Sequence, residues 1–256
     1  MRIVIKIGTS TLTHKTGQLN IRRTEELCRT ISDIKNHGDE VILVSSGAIG
    51  MGIGKLSLGE KPKDIATKQA AAAVGQCELM YTYDRLFLQY HHTVAQLLLT
   101  GSDLKNDERH ENFTRTMSRL LELKTIPIIN ENDTIATDEI KVGDNDTLSA
   151  LVAVSVHADR LILLSDIDGL FTADPHTDPS AELIRRVPEL TDEILSLGGS
   201  AGALGTGGMK TKLAAAKICT EGGCDMVIAN GTRPSVLYDL LEGKETTATV
   251  FLAKRR

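Results

Sequence analysis

Residues 1–10 read MRIVIKIGTS and combine an apolar run with a small polar turn. Ile3–Ile7 is a short, mostly β-branched run, typical of a strand that is buried on both faces. Lys6 lies inside that run, where an unpaired ammonium group would be costly to bury. One interpretation is a strand whose end places a cation beside Gly8 and Thr9 and so forms a nest for a small anion. The alternative is an edge strand with a solvated lysine.

Short apolar runs recur along the chain, and most of them are continuously apolar, as expected for central strands. They are Val41–Ser45, Val94–Thr100, Ile126–Ile129, Leu161–Ser165 and Met226–Ala229. Segments with helical spacing separate them: Asn20 to Gly38, Asp64–Tyr90, Asp107–Lys124, Leu148–His157 and Met209–Glu221. Strands that alternate with helices predict an α/β fold, in which a mainly parallel sheet carries helices on both faces.

Composition restricts the class of protein. With 256 residues, of which 41% are apolar and 25% charged, the chain has the profile of a soluble globular protein. Its net charge of −5 argues against a broad nucleic-acid interface, and no apolar run is long enough to cross a membrane. The cysteines Cys28, Cys77, Cys219 and Cys224 form no zinc-type spacing and predict small core residues in a reducing compartment. We therefore expect a cytoplasmic protein.

Polar or glycine-rich segments follow several of the predicted strands, and ligands of parallel sheets bind at the carboxyl ends of the strands. These segments are Gly8–Thr13, Ser46–Gly54, Asn130–Thr134, Asp166–Asp174 and Gly198–Gly208. Ser46–Gly54 lacks the Rossmann glycine spacing and taken alone predicts a flexible surface loop. Asp166–Asp174 is either a tight turn or a wall for a nucleotide base and ribose.

Two acidic clusters lie near predicted strand ends. They are Asn130-Glu131-Asn132-Asp133 and Gly143-Asp144-Asn145-Asp146, and a small hairpin over Ile135–Val142 is predicted between them. Carboxylate and amide side chains can recognise an ammonium group or hydroxyl groups, or orient metal-bound water. Two solvated acidic turns before a helix that starts near Asp146 are the alternative.

A phosphate site is predicted where Gly205-Thr206-Gly207-Gly208-Met209-Lys210-Thr211-Lys212 opens a helix. Free N–H groups and the helix dipole favour an anion there, and no Walker motif is present. Phosphoryl transfer to an anionic acceptor needs cations around the transferred group, together with magnesium. Lys6 and Lys212 can supply them, and Asp146 can hold both lysines. We expect neither lysine to pack in the core.

The ordered set of motifs resembles the amino-acid kinase family, and the similarity covers nearly the whole chain. The motifs are Lys6-Ile-Gly-Thr-Ser, Ser45-Ser-Gly-Ala-Ile, Ile129-Asn-Glu-Asn-Asp133, Lys141-Val-Gly-Asp-Asn-Asp146, Ala173-Asp-Pro and Gly205-Thr-Gly-Gly-Met. The third and fourth motifs are similar to those of the members that phosphorylate the side-chain carboxylate of L-glutamate. The resemblance implies a three-layer α/β/α sandwich and the first step of proline biosynthesis.

The resemblance also implies roles for individual residues. Lys6, Asp146 and Lys212 would be catalytic, and Ser46, Asp133 and Asn145 would bind glutamate. ATP would be bound by Lys6, Ser165, Asp166, Thr206, Gly207, Gly208, Met209, Lys210, Thr211 and Lys212. Magnesium would be held mainly by the ATP phosphates, with no metal ligand from the protein. The family further implies feedback inhibition by L-proline, a glutamyl phosphate reductase as the next enzyme, and a homo-oligomer (dimer or tetramer).

Many bacterial relatives carry a C-terminal PUA domain, and the chain stops at Arg256, where that domain would begin. We therefore expect one amino-acid kinase domain over residues 1–256 and no PUA domain. The alternatives are another enzyme of the family (acetylglutamate kinase, aspartokinase or uridylate kinase) or a non-catalytic amino-acid sensor. The paired polar clusters argue against the other enzymes, and the two lysines with Asp146 argue against a sensor.

Overall fold

The apolar runs form one twisted sheet in the computed structural model, which describes residues 1–14, 16, 18–136, 145–175, 177–199 and 208–254. The strands are β1 (Arg2–Ile7), β2 (Glu40–Ser45), β3 (Val94–Leu99), β4 (Ile126–Glu131), β5 (Arg160–Ser165), β6 (Arg186–Val187), β7 (Asp225–Asn230) and β8 (Ala248–Phe251). Their order across the sheet is β3-β4-β2-β1-β5-β7-β8-β6. The six predicted strands are all present.

Strand β1 lies in the middle of the sheet and pairs in parallel with β2 and β5. Ile7 is level with Ser45 of β2 and with Leu164 of β5, so these three strands end at the same edge. Strand β8 pairs antiparallel with β7, and β6 pairs in parallel with β8 at the edge of the sheet. Lys6 therefore lies on a central strand, which excludes the edge-strand interpretation.

Helices cover both faces of this sheet. Their bounds are α1 (Thr9–Leu12), α2 (Ile21–Asn36), α3 (Ala48–Lys55), α4 (Ile65–Leu88), α5 (Asp107–Glu122), α6 (Asn145–Ser155), α7 (Asp192–Ser196), α8 (Met209–Glu221) and α9 (Val236–Leu241). A 3₁₀ turn spans Asp103–Lys105. The Asn20 side chain caps α2 by accepting from Arg23 N at 3.2 Å, and Gly38 follows the helix with φ of +112°. The five predicted helices are confirmed.

Strand alternation divides the core into two layers. Val4, Ile42 and Leu163 pack on one face, with apolar residues of α5, α6 and α8. Ile3, Ile5 and Leu43 pack on the other face, with apolar residues of α2, α3, α4 and α9. The three-layer α/β/α sandwich is thus confirmed. Lys6 follows the alternation of Val4 and directs its side chain toward the α6 and α8 layer.

One prediction of local structure was wrong. Ser46–Gly54 is mostly the helix α3 and not a flexible loop, because Ala48, Met51 and Gly52 are buried against the rest of the protein. Tertiary packing here outweighs the low helix propensity of glycine. Strand β3 is an edge strand, and none of its residues is fully buried. The hairpin predicted for Ile135–Val142 lies mostly outside the described residues.

Other features of the described chain follow from its composition. All four cysteines are free thiols, and Cys28, Cys219 and Cys224 are buried as expected. Cys77 is exposed, which corrects its assignment to the core. None of the helices in the described ranges is long and apolar enough to cross a membrane.

Helices α3 and α4 are in backbone contact through two glycines. A Cβ atom on Gly75 would lie 1.7 Å from the carbonyl oxygen of Ala48, and one on Gly52 would lie 1.8 Å from that of Ala71. Atoms cannot approach so closely, so only hydrogen fits at positions 52 and 75. This contact fixes α3 directly after the end of β2.

Replacing Gly75 with alanine tests that contact. The added methyl group must push α3 away from α4, and we expect a loss of about 3 kcal/mol in the free energy of unfolding, the upper range for overpacking. Urea or thermal unfolding measures it. Gly50→Ala on α3 is the matched control, because its Cβ would meet nothing closer than 3.6 Å. Equal stability of the two variants would contradict the close-packing argument.

Candidate active site

The sequence-predicted site residues gather where the central strands end. Lys6 and Gly8 lie at the end of β1, Ser46 follows β2, and Ser165 ends β5. The ladder continues one residue past these ends, since Ser46 N donates to Ile7 O at 3.0 Å and Gly8 N donates to Leu164 O at 3.4 Å. Three loops from distant parts of the sequence thereby meet at one edge of the sheet.

A carboxylate between two ammonium groups forms the centre of this edge. Lys6 Nζ lies 2.5 Å from Asp146 Oδ1, and Lys212 Nζ lies 3.1 Å from Asp146 Oδ2. Asp146 is fully buried in the first turn of α6, and Lys212 is 4% exposed in the first turn of α8. The predicted grouping of these three residues is confirmed. The expectation that both lysines lie outside the core is wrong for Lys212.

The two lysines keep Asp146 ionised. Burial alone would raise the pKa of Asp146, but attraction to Lys6 and Lys212 outweighs that effect and the pKa lies below its ordinary value. The ion pairs therefore contribute to stability above the ordinary carboxyl pKa of about 3.9, and the contribution is lost as the pH falls through the lowered pKa. At neutral pH the three side chains carry two positive charges and one negative charge.

The N-terminal turn of α8 completes this charged centre. Thr211 Oγ1 lies 3.0 Å from Asp146 Oδ2, to which it donates, and 2.8 Å from the carbonyl oxygen of Gly208. Gly208, Met209 and Lys210 are exposed or partly exposed beside it, at the end where the helix dipole favours anions. Thr206 and Gly207 lie outside the described residues.

Next to the charged centre, amide side chains form a second network. Asn145 Nδ2 lies 2.9 Å from each of three acceptors: Ser45 O, Ser46 Oγ and Asn130 Oδ1. Gly47 has φ of +104°, a conformation that favours glycine and lets the chain turn from β2 into α3. Ser46 and Asn145, both predicted to bind substrate, are thus in direct contact.

The remaining predicted residues lie around these two networks. Asp133 is partly exposed in the turn that follows β4, three positions after Asn130. Ser165 is buried at the end of β5 and its Oγ donates to Oδ1 of the exposed Asp166 at 3.1 Å. Asn230, level with Ser165 on β7, donates from Nδ2 to Asp168 Oδ1 at 2.7 Å. A polar rim therefore extends from β4 to β7.

Sequence reasoning did not identify Gln76 or the specific role of Asn130. Gln76 Oε1 accepts from Asn130 Nδ2 at 2.9 Å, and both residues are buried. A signal was present, because Gln76 shares the buried face of α4 with Ala72 and Leu79. A glutamine on such a face needs hydrogen-bond partners inside the protein. The contact of Thr211 with Asp146 had no comparable signal.

The charged centre suits a polyphosphate better than a metal ion. Two ammonium groups against one carboxylate leave net positive charge for an anion, and both oxygens of Asp146 are already engaged by Lys6 and Lys212. Within the described ranges, no group of three His, Cys, Asp or Glu side chains could hold a metal ion. The charged centre therefore fits the phosphates of ATP.

Comparison with known proteins agrees with this geometry. The model of the amino acid kinase family matches residues 1–230. The glutamate 5-kinase of Clostridium perfringens is 53% identical over 99% of this chain and 96% of its own length. The glutamate 5-kinase of Clostridium tetani is 55% identical over 94% of this chain and 91% of its own length.

The fold has a counterpart among solved structures. UMP kinase from Ureaplasma parvum is similar with a TM-score of 0.69 and 18% sequence identity, over 98% of both chains. At that identity the likeness supports the fold alone, whereas the family follows from the sequence matches. With a family model matched over residues 1–230 and relatives more than half identical along nearly its whole length, the chain belongs to the amino acid kinase family.

Proposed function

We propose that this chain transfers the γ-phosphoryl group of ATP to the side-chain carboxylate of L-glutamate, forming L-glutamyl 5-phosphate and ADP in the first step of proline biosynthesis. The observation that carries the proposal is the buried carboxylate of Asp146 between Lys6 and Lys212. The names of the relatives at 53% and 55% identity support glutamate as the acceptor.

The charge balance supports phosphoryl transfer between two anions. A carboxylate and a phosphate oxygen about 4 Å apart repel by roughly 4 kcal/mol at an effective dielectric of 20. Lys6 comes from β1 and Lys212 from α8, so cations can flank the transferred group on two sides. A non-catalytic sensor would have no use for preorganised charge at that position.

The reaction needs no general base. An oxygen of the glutamate side-chain carboxylate attacks the γ-phosphorus of ATP, and the bond from that phosphorus to the β,γ-bridging oxygen breaks. The acceptor is already an anion, so no proton has to be removed. This agrees with Asp146, whose lowered pKa makes it a weak base and whose oxygens are held by Lys6 and Lys212.

ATP would lie along the N-terminus of α8 and the end of β5. Gly208, Met209, Lys210 and Thr211 would contact its phosphates together with the two lysines, with Thr206 and Gly207 continuing the glycine segment. Ser165 and Asp166 would contact the nucleoside. Magnesium bound to the phosphates would neutralise part of their charge, and no described residue is needed as its ligand.

Glutamate would bind at the amide network. Asp133 supplies a carboxylate for the substrate ammonium, and Ser46 and Asn145 supply polar groups for the amino-acid moiety. Asn145 and Asp146 are consecutive at the start of α6, which places the amide network directly beside the charged centre. The side-chain carboxylate of a bound glutamate could thus point toward Lys6 and Lys212.

We also propose a cytoplasmic homo-oligomer, either a dimer or a tetramer, that delivers its product to a reductase. The free thiols of the chain fit a reducing compartment. Leu88, Tyr90 and Leu123 are exposed apolar residues that precede the edge strand β3 and its neighbour β4, and they are available for self-association. An acyl phosphate hydrolyses readily, so an enzyme that consumes it must act promptly.

Substrate preference tests the proposed reaction. With ATP and magnesium, L-glutamate should be phosphorylated and trapped as a hydroxamate by hydroxylamine. N-acetylglutamate should be a much poorer substrate, because its acylated nitrogen carries no positive charge for the carboxylate of Asp133 to bind. Faster turnover of N-acetylglutamate, aspartate or UMP would overturn the proposal, and ATP hydrolysis indifferent to the acceptor would favour a sensor.

Replacing either lysine tests the charged centre. Lys6→Ala or Lys212→Ala should lower kcat by about 10²–10³, the scale for one preorganised electrostatic group. Because Lys212 is buried against Asp146, its variant should also unfold more readily, so thermal unfolding must confirm that the assayed protein is folded. Asp146→Asn should lower kcat too. A near-normal kcat with lost glutamate binding would reassign the lysine concerned.

Proline inhibition tests the amino-acid site. Proline shares an ammonium and an α-carboxylate with glutamate, so Asp133 and Asn145 suit both ligands, and residues 1–256 should suffice for inhibition. We expect inhibition at millimolar or lower proline, an order-of-magnitude value for a small ligand. Rates over a grid of both concentrations should show relief by glutamate, and Asp133→Ala should weaken both ligands. Inhibition that persists at saturating glutamate would indicate a separate site.

A further inference from the structure

A glutamine with one satisfied and one unsatisfied end lies beside the amino-acid site. Gln76 is 9% exposed on α4, and its Oε1 accepts from Asn130 Nδ2 at 2.9 Å. Its Nε2 is buried and has no hydrogen-bond partner among the described residues. A buried donor without a partner is unfavourable. An apolar side chain of the same length would avoid that cost, so the acceptor is the useful part of Gln76.

Backbone groups fix the direction of every amide in this network. The backbone N–H of Glu131 donates to Asn130 Oδ1 at 2.9 Å, and an N–H group can only donate. The oxygen of the Asn130 amide must therefore face Glu131, and its nitrogen must face Gln76. Gln76 can satisfy that nitrogen only by presenting Oε1, which leaves its own Nε2 unpaired.

The same logic continues toward the substrate side. Asn130 Oδ1 and the backbone carbonyl of Ser45 are both acceptors, so Asn145 must turn its Nδ2 toward them, as observed at 2.9 Å. The side-chain NH₂ group of Asn145 therefore donates to groups of the protein itself. No described residue donates to Asn145 Oδ1, so this oxygen remains available to a ligand.

We infer that Gln76, Asn130 and Asn145 form an amide relay in which Gln76 is a positioning residue that sets the substrate preference of the site. Through Asn130, Gln76 holds Asn145 so that its carbonyl oxygen accepts a hydrogen bond from the ammonium of the bound amino acid. The relay rests on the proposed function, because that proposal places glutamate at Asn145. Nothing in the relay touches the transferred phosphoryl group.

The fold keeps the first member of the relay in place. Gln76 follows Gly75, whose backbone contact with Ala48 fixes α4 against α3. Asn130 lies near the end of strand β4, and Asn145 begins α6. Each member therefore belongs to a different element, and the hydrogen bonds join α4, β4 and α6.

The test separates recognition of the ammonium from general damage. Glutarate has the carboxylates of glutamate but no amino group, so it cannot use the oxygen of Asn145. In Gln76→Met, Asn130 Nδ2 loses its acceptor, so Asn130 is held less firmly and Asn145, which donates to Asn130 Oδ1, is displaced with it. We expect the KM for glutamate to rise about 10-fold, with kcat and the KM for ATP within about twofold of the wild type. The ratio of kcat/KM for glutamate over glutarate should fall by about the same factor.

Two further variants make the test decisive. Gln69→Met on the same helix is the matched control and should change nothing, because Gln69 is only partly buried and outside the relay. Gln76→Glu keeps an acceptor in place of Oε1 and should retain most of the glutamate-over-glutarate ratio. If Gln76→Met does not fold, a folded Gln76→Glu that loses the ratio overturns the relay.

The outcomes distinguish the relay from the function on which it rests. A wild-type chain that does not phosphorylate glutamate overturns both. If the wild type phosphorylates glutamate but folded Gln76→Met keeps the wild-type ratio of kcat/KM for glutamate over glutarate, only the relay is overturned. If kcat/KM in Gln76→Met falls by a similar factor for glutamate, glutarate and ATP, Gln76 has a structural role and the relay is likewise overturned.

Discussion

The ion pairs of Asp146 with Lys6 and Lys212 are the interaction on which the rest of the site depends. They join the first strand, the helix after β4 and the helix before β7, which are separated by most of the chain. Burying any one of these charges alone would be prohibitive, and together they leave net positive charge. The net positive charge of the three side chains favours an anionic ligand at this place.

That charge needs a rigid frame, because electrostatic preorganisation works only if the groups do not relax toward each other. The frame comes from the central, parallel position of β1 and from the close contact of α3 with α4 at Gly52 and Gly75. The glycines of Ser46–Gly54 predicted a flexible loop, but Gly52 allows α3 to pack closely against α4. A glycine-rich segment can form either a loop or a closely packed helix, and its composition does not show which. Here the contact with α4 decides the outcome.

Most of the fold could be predicted from the sequence, because buried parallel strands are continuous apolar runs and capped helices have a clear period. The short strands β6 and β8 were missed, since their pairing depends on neighbours distant in sequence. In the site, Lys6 was found because an ammonium group inside an apolar run needs a partner. Lys212 was found because a glycine segment opens its helix, and Asp146 because a carboxylate can hold both lysines. The motif resemblance contributed Ser46, Asp133 and Asn145. Gln76 required a structure, because its place on the buried face of α4 indicates that it needs a hydrogen-bond partner but not which one.

Two networks of different physical character meet at the first turn of α6. Asn145 belongs to a neutral amide network whose hydrogen-bond directions are set by backbone groups, and Asp146 belongs to a charged one set by attraction. Neutral hydrogen bonds are directional and sensitive to geometry, which suits the recognition of one amino acid. Attraction between charges is long-ranged and tolerant of small displacements, which suits a group that moves during transfer. Because the two residues are consecutive on one helix, any shift of α6 displaces both networks together, and with them both ends of the proposed substrate site.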